Sequence, residues 1–202
     1  MKRTSVLMFS LCLALVSVES RATLVRQLGF DELTKQSNLI VKAKVTNKQI
    51  EEDAEEGGGR VVAYYTLEVQ DWIKGTATAD NVLVIKQVAD GEYTVPGGVT
   101  MRQKFYIPQY EVGKTYVFFL PEAHHLTGLL APIALGQGVY DVKTVDGVDT
   151  VPQLKARAKM LGLKTKNTNK SLVRLLNAAT SVGQGETSYS SFKSLIQAAG
   201  VE

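Results

Sequence analysis

His124 and His125 are the only imidazoles in the chain. Adjacent loop residues are expected to point apart, and no cysteine or suitably spaced carboxylate completes a ligand set around them. They read as a surface loop pair. No serine stands in a Gly-x-Ser-x-Gly elbow, and the single cysteine, Cys12, lies in an apolar run near the N-terminus. With no cysteine nucleophile beyond that run and only paired loop histidines, a hydrolytic triad is hard to assemble. Gly136-Gln137-Gly138 lacks the third glycine and the following helix of a nucleotide-binding turn, and reads as a tight β turn. The acidic stretch from Glu51 to Gly59 lacks the ligand spacing of a calcium loop and reads as a solvated hairpin loop. Asn169-Lys170-Ser171 fits a glycosylation acceptor, but Asn169 also suits the start of a helix. Paired carboxylates in an enclosed cleft are the remaining route to catalysis, and the acids here fall mostly in loops or on polar strand faces. The reading is of no catalytic, cofactor-binding or metal-binding residues.

The aromatic residues are better candidates for contact with another molecule. Tyr64 and Trp72 lie on the otherwise polar parity of their strand, and Tyr106 and Tyr110 on a proline-containing segment. Aromatic and polar side chains mixed on one face suit a protein or glycan partner. The competing expectation is that these rings pack under the C-terminal helical tail.

The frame for these residues begins with an export segment. Lys2 and Arg3 precede an apolar run from Val6 to Val18, and Ser20-Arg21-Ala22 offers small residues where a signal peptidase reads them. Cleavage before Thr23 is expected, with a secreted or periplasmic destination. The run is shorter than the roughly 20 residues a membrane span needs. Of the formal charge of +3, the segment 1–22 carries Lys2, Arg3 and Arg21 against Glu19. The remainder is near +1, too small to argue for nucleic acid by electrostatics. Loss of Cys12 would leave about 180 residues without a thiol, enough to be held together by a core alone.

Beyond the segment, Asp31-Glu32-Leu33 opens a helical turn through about Ser37. From Asn38 to Thr46, Leu39, Val41, Ala43 and Val45 alternate with Ile40, Lys42 and Lys44, the period of a half-buried strand. Arg60 to Lys74 repeats the pattern until Asp71, where the phase slips and predicts a bulge. Asn81 to Val88 reads as a strand that is apolar on both faces. Gly91 and Pro96-Gly97-Gly98 punctuate a low-order stretch. Thr115 to Leu120 is apolar throughout and must be enclosed. Further β segments are expected over Leu129–Leu135 and Val139–Val145, with a tight hairpin at Asp146-Gly147. From Pro152 the period becomes helical, with stripes at Leu154, Ala158 and Leu161, at Leu172 to Ala179, and at Phe192, Leu195, Ile196 and Ala199.

Four of these segments, in order, carry a resemblance. They are a strand ending in Lys44-Val45; Tyr65 to Gly75, with its Trp72 and Lys74-Gly75 turn; Val82 to Ile85; and Val112 to Leu120, with its Gly113 and Tyr116. Together they resemble the netrin-module and TIMP-like group of OB-fold barrels over roughly residues 38–120. The resemblance implies a small OB-like barrel of five or six strands, placed over 23–151; the helical stripes, which the resemblance does not cover, make 152–202 a tail of about three helices docked on the barrel or on each other. Best known in that group is inhibition of zinc metalloproteases by an N-terminal cysteine held by a disulfide. Thr23 would stand first here, so that mechanism does not carry over. The expectation is a secreted, non-enzymatic module that binds a protein partner, such as an exported protease or envelope component, through Tyr64, Trp72, Tyr106 and Tyr110. An exported hydrolase and a structural envelope protein are the alternatives.

Overall fold

The computed structural model describes residues 28–53, 60–95, 97–105, 107–152 and 187–200. The expected export segment, Tyr106, the Asn169-Lys170-Ser171 triplet and the first two expected C-terminal helices lie outside the described residues.

Helix α1, Phe30–Gln36, starts where expected. Asp31 and Glu32 stand in its first turn, and Glu32 accepts a hydrogen bond from the Gly29 amide at 3.2 Å. Strands β1 (Leu39–Asp53) and β2 (Arg60–Lys74) follow as a long antiparallel hairpin. Next come β3 (Val82–Val88), a hairpin of β4 (Gly91–Val95) and β5 (Val99–Gln103), and β6 (Thr115–Leu120). Strands β7 (Val139–Val145), β8 (Val148–Val151) and β9 (Thr187–Ser188) lead to helix α2, Tyr189–Ala199. The order in the main sheet is β3-β2-β1-β6-β7-β8-β9, with β4 and β5 forming a second, two-stranded sheet.

The main sheet is buried on both faces at its centre, as the unbroken apolar run of β6 requires. One side holds Val41, Ala43, Tyr65, Leu67, Ile85, Tyr110, Phe118 and their neighbours. The other packs Ile40, Val117, Phe119 and Tyr140 against Phe30 and Leu33 of α1 and Phe192, Leu195 and Ile196 of α2. Phe30, Phe119, Tyr140 and Phe192 meet pairwise with ring centroids 5.0–6.5 Å apart. The last expected helical stripe thus becomes the buried face of α2, capped at its start by the Ser188 hydroxyl.

Several expectations are corrected. In place of a five- or six-stranded barrel, the described residues form a longer sheet that is not closed, with β3 and β9 at its ends and not paired to each other. Segment Leu129–Leu135 is not a strand. Ala134 and Leu135 adopt φ of 54° and 50° and turn the chain into Gly136 at 91°. Conversely, the stretch around Gly91 holds the β4–β5 hairpin, in which Tyr93 faces Met101 and Val95 faces Val99. The Asp146-Gly147 hairpin forms as expected, both residues having positive φ (51° and 78°).

The open seam of the sheet is covered by loops. The Leu130 amide donates to the Lys86 carbonyl at 2.8 Å, and the Gln87 side-chain Nε2 donates to the Pro108 carbonyl at 3.0 Å. The Leu130 bond blunts the β3 edge without adding a strand.

Candidate functional site

The bulge predicted near Asp71 decides where the aromatic candidates point. Lys42 pairs with Asp71 while Ala43 pairs with Val69, so Gln70 is an extra residue in β2; Ile73 is a second. After Gln70 the alternation resets. Trp72 pairs with Val41 and packs, half-buried, against the cluster that holds Val41, Leu67 and Val69. Its indole Nε1 donates to Asn81 Oδ1 at 3.0 Å. The expectation that Trp72 shares the polar face of Tyr64 is therefore corrected: the two rings lie on opposite faces of β2.

Tyr64 stays on the outer face. Directly opposed pairs Tyr64–Lys86, Thr66–Val84 and Glu68–Val82 share that face. Val82 and Val84 are 37% and 48% exposed, Tyr64 is half-buried, and Lys86 Nζ stands 5.6 Å from the Tyr64 ring centre. Lys86 also pairs with Asp53 at 2.7 Å, and the hydrogen bond to Asp53 raises its pKa. The face combines two apolar side chains, an aromatic ring, a hydroxyl and a carboxylate.

Tyr110 is not an exposed aromatic. It is 3% exposed, its ring centre 5.0 Å from Tyr65, 5.7 Å from Tyr116 and 5.2 Å from Phe118. Its hydroxyl has no hydrogen-bond partner among the described residues, and burial raises its pKa strongly. By contrast, Tyr65 donates to Gln109 Oε1 at 2.9 Å, which also accepts from Lys48 Nζ at 2.7 Å.

Above Tyr110 lies a cleft of about 250 Å³, the space that the seam loops leave against β6 and β7. One wall is Pro108 to Glu111, and the facing wall is Gly136, Val139 and Asp141. Gly136 is required there, because a β-carbon would sit 2.2 Å from Pro108 Cγ. Lys114 and Tyr116 complete the lining. Lys114 pairs with Glu111 at 2.6 Å, and the Glu111 amide donates to the Tyr116 hydroxyl at 3.1 Å. Glu111, Lys114, Tyr116 and Asp141 carry no sequence mark of a site; only the fold brings them together.

A second polar cluster joins α2 to the sheet. Asp71 accepts from the Tyr189 hydroxyl at 2.7 Å and from Lys193 Nζ at 2.6 Å. Lys42 pairs with Asp149 and lies over the Tyr189 ring, 4.7 Å from its centre. Every member has a partner, the mark of a structural clasp. His124 and His125 do not point apart as expected: their rings stack at 5.1 Å, with His124 Nδ1 near the Thr127 amide and hydroxyl. Among the described residues no group of three His, Cys, Asp or Glu could hold a metal ion, and no helix is long and apolar enough to cross a membrane.

No protein-family description matches this chain, and no curated protein matches its sequence.

Proposed function

We propose that this chain is an exported, non-enzymatic binding module that recognises a protein partner through the outer face of β2 and β3. The observation that carries the reading is the pair Val82 and Val84, exposed beside Tyr64 on one open sheet face. Apolar and aromatic groups ringed by polar ones are the usual make-up of a contact patch. Docking by addition of a strand is a poorer fit. On the β3 edge the Val82 amide donates to Asp80 Oδ1, Thr78 donates to the Val82 carbonyl, and Leu130 occupies the Lys86 carbonyl.

The proposed kinship with the netrin and TIMP-like group draws support from the neighbouring order β3-β2-β1-β6, since those strands carry the four resembling segments. The chain would be an OB-like relative whose seam is covered by loops. Export rests on the segment 1–22, and contact through a face frees the module from any need for an N-terminal cysteine. The test is binding of the captured partner to Val84→Lys and Tyr64→Ala. Both should weaken it at least tenfold with melting temperature nearly unchanged, while Trp72→Ala should leave it within about twofold. Unchanged binding by Val84→Lys and Tyr64→Ala would refute the face.

A further inference from the structure

We infer that the outer edge of β5 is a self-association surface, on which a second copy of this chain pairs its own β5 antiparallel about a twofold axis at Met101. The β4–β5 ribbon is two-faced. Tyr93–Met101 and Val95–Val99 pair across it on one face, Glu92–Arg102 and Thr94–Thr100 on the other. On the apolar face Tyr93 packs on the inner cluster. Val99 and Met101 are left 60% and 46% exposed, and Phe105, two residues past the strand, is 42% exposed.

Backbone direction defines the edge. The Thr94 amide leaves the ribbon and donates to Glu52 Oε1 at 3.2 Å, which makes Thr94–Thr100 a non-hydrogen-bonded pair, and by alternation Glu92–Arg102 is another. The N–H and C=O groups of Thr100 and Arg102 therefore point away from β4. Among the described residues β5 pairs with no strand but β4. Its end is nonetheless fixed: Gln103 Nε2 donates to the Val61 carbonyl at 2.8 Å and to the Ala89 carbonyl at 2.6 Å. A fixed strand whose outer groups are free is a template for another strand.

Register selects the occupant. Pairing about Met101 sets Thr100 of one copy opposite Arg102 of the other, where the two exchange both backbone bonds, and Met101 faces Met101 as the close, non-hydrogen-bonded pair. Every outward group of Thr100 and Arg102 is then used. The neighbouring registers are worse. Centring on Thr100 puts Arg102 opposite Gly98, whose amide already donates to the Val95 carbonyl at 3.1 Å; centring on Arg102 opposes like charges. Beyond the strand, the favoured register brings Phe105 toward Gly97, around which space is open. The twofold axis also joins the two apolar faces into one. An edge of five residues falls short of the roughly 1,200–2,000 Å² of a stable interface, so the dimer is reversible, in the micromolar range.

The test is sedimentation velocity of the full processed chain over a hundredfold range of concentration, which should show a monomer–dimer equilibrium. Met101→Lys and Met101→Glu should each weaken it at least tenfold with melting temperature nearly unchanged. Mixing the two variants should restore it, since the axis sets this position against itself. In a Cys12→Ser background, Met101→Cys should cross-link under mild oxidation at least tenfold faster than Arg102→Cys, which the register holds out of reach. Val84→Lys should leave the dimer intact. A chain monomeric at every concentration, a dimer lost in Val84→Lys but kept in Met101→Lys, or equal cross-linking at the two positions would overturn the proposal. A monomeric chain whose β5 takes up an added peptide strand would overturn it too, and would give the edge to a foreign partner.

Discussion

Tyr65 and Tyr110 make edge-on contact in the same aromatic cluster, yet their hydroxyls have opposite fates. Tyr65 has Gln109 as acceptor, and Tyr110 has none among the described residues. Tyr65→Phe should therefore cost about 1 kcal/mol, and Tyr110→Phe should cost nothing or stabilise, since it removes a buried unsatisfied group. Denaturant unfolding of the two variants checks the pair, and equal losses would contradict it. Asp71 makes a pH prediction. Burial alone would raise its pKa, but hydrogen bonds from Lys193 and Tyr189 and the charges of Lys193 and Lys42 outweigh it and hold the pKa below the ordinary value. A carboxylate lowered by folding stabilises above its unfolded pKa of about 3.9 and loses that contribution as pH falls through the folded value. Asp71→Asn should therefore reduce stability at pH 7 and flatten its fall below about pH 4, as read from unfolding curves between pH 2 and 7.

At the scale of elements, β2, β6 and the first half of β1 were legible because their burial is extreme, whereas the mostly exposed end of β1 runs on to Asp53, into what reads as a loop. Alternation in β1 and β2 follows from one face meeting the inner cluster, and the solid apolar run of β6 follows from both faces being covered. The phase slip at Asp71 was legible as a bulge, but its consequence for Trp72 was not, because only cross-strand register says which residue is extra. The left-handed backbone of Ala134 and Leu135 leaves no trace in composition, so an apolar segment passed for a strand. The β4–β5 hairpin escaped because its apolar pairs are few and largely exposed. Leu67→Ala should cost about 2–5 kcal/mol and Phe119→Ala about 3–5 kcal/mol. They act on different layers. Only Phe119 touches Phe192, so hydrogen exchange across α2 should accelerate far more in Phe119→Ala than in Leu67→Ala at equal global stability.

For the whole molecule, an open sheet sealed by loops leaves the inner cluster closed to water and one outer face free. The aromatic candidates were the least legible part: Tyr64 keeps the polar parity of β2, whereas Trp72 turns to the other face and Tyr110 is buried. Burial is the outcome the competing expectation held for these rings, though they pack in the cluster away from α2 rather than under it. The cleft residues went unnoticed, because distant loops assemble them. With Cys12 the only cysteine, the processed chain should melt at the same temperature with and without reductant. A shift of several degrees would mean that Cys12 is retained in a bridge. The central claim is that recognition uses the outer face of β2 and β3. Oxidative side-chain footprinting of the processed chain, alone and bound to its captured partner, tests it most directly. The account predicts protection of Tyr64, Val82 and Val84 with little change at Trp72. Protection confined to the residues after Thr23, with Tyr64, Val82 and Val84 as reactive as in the free chain, would contradict it.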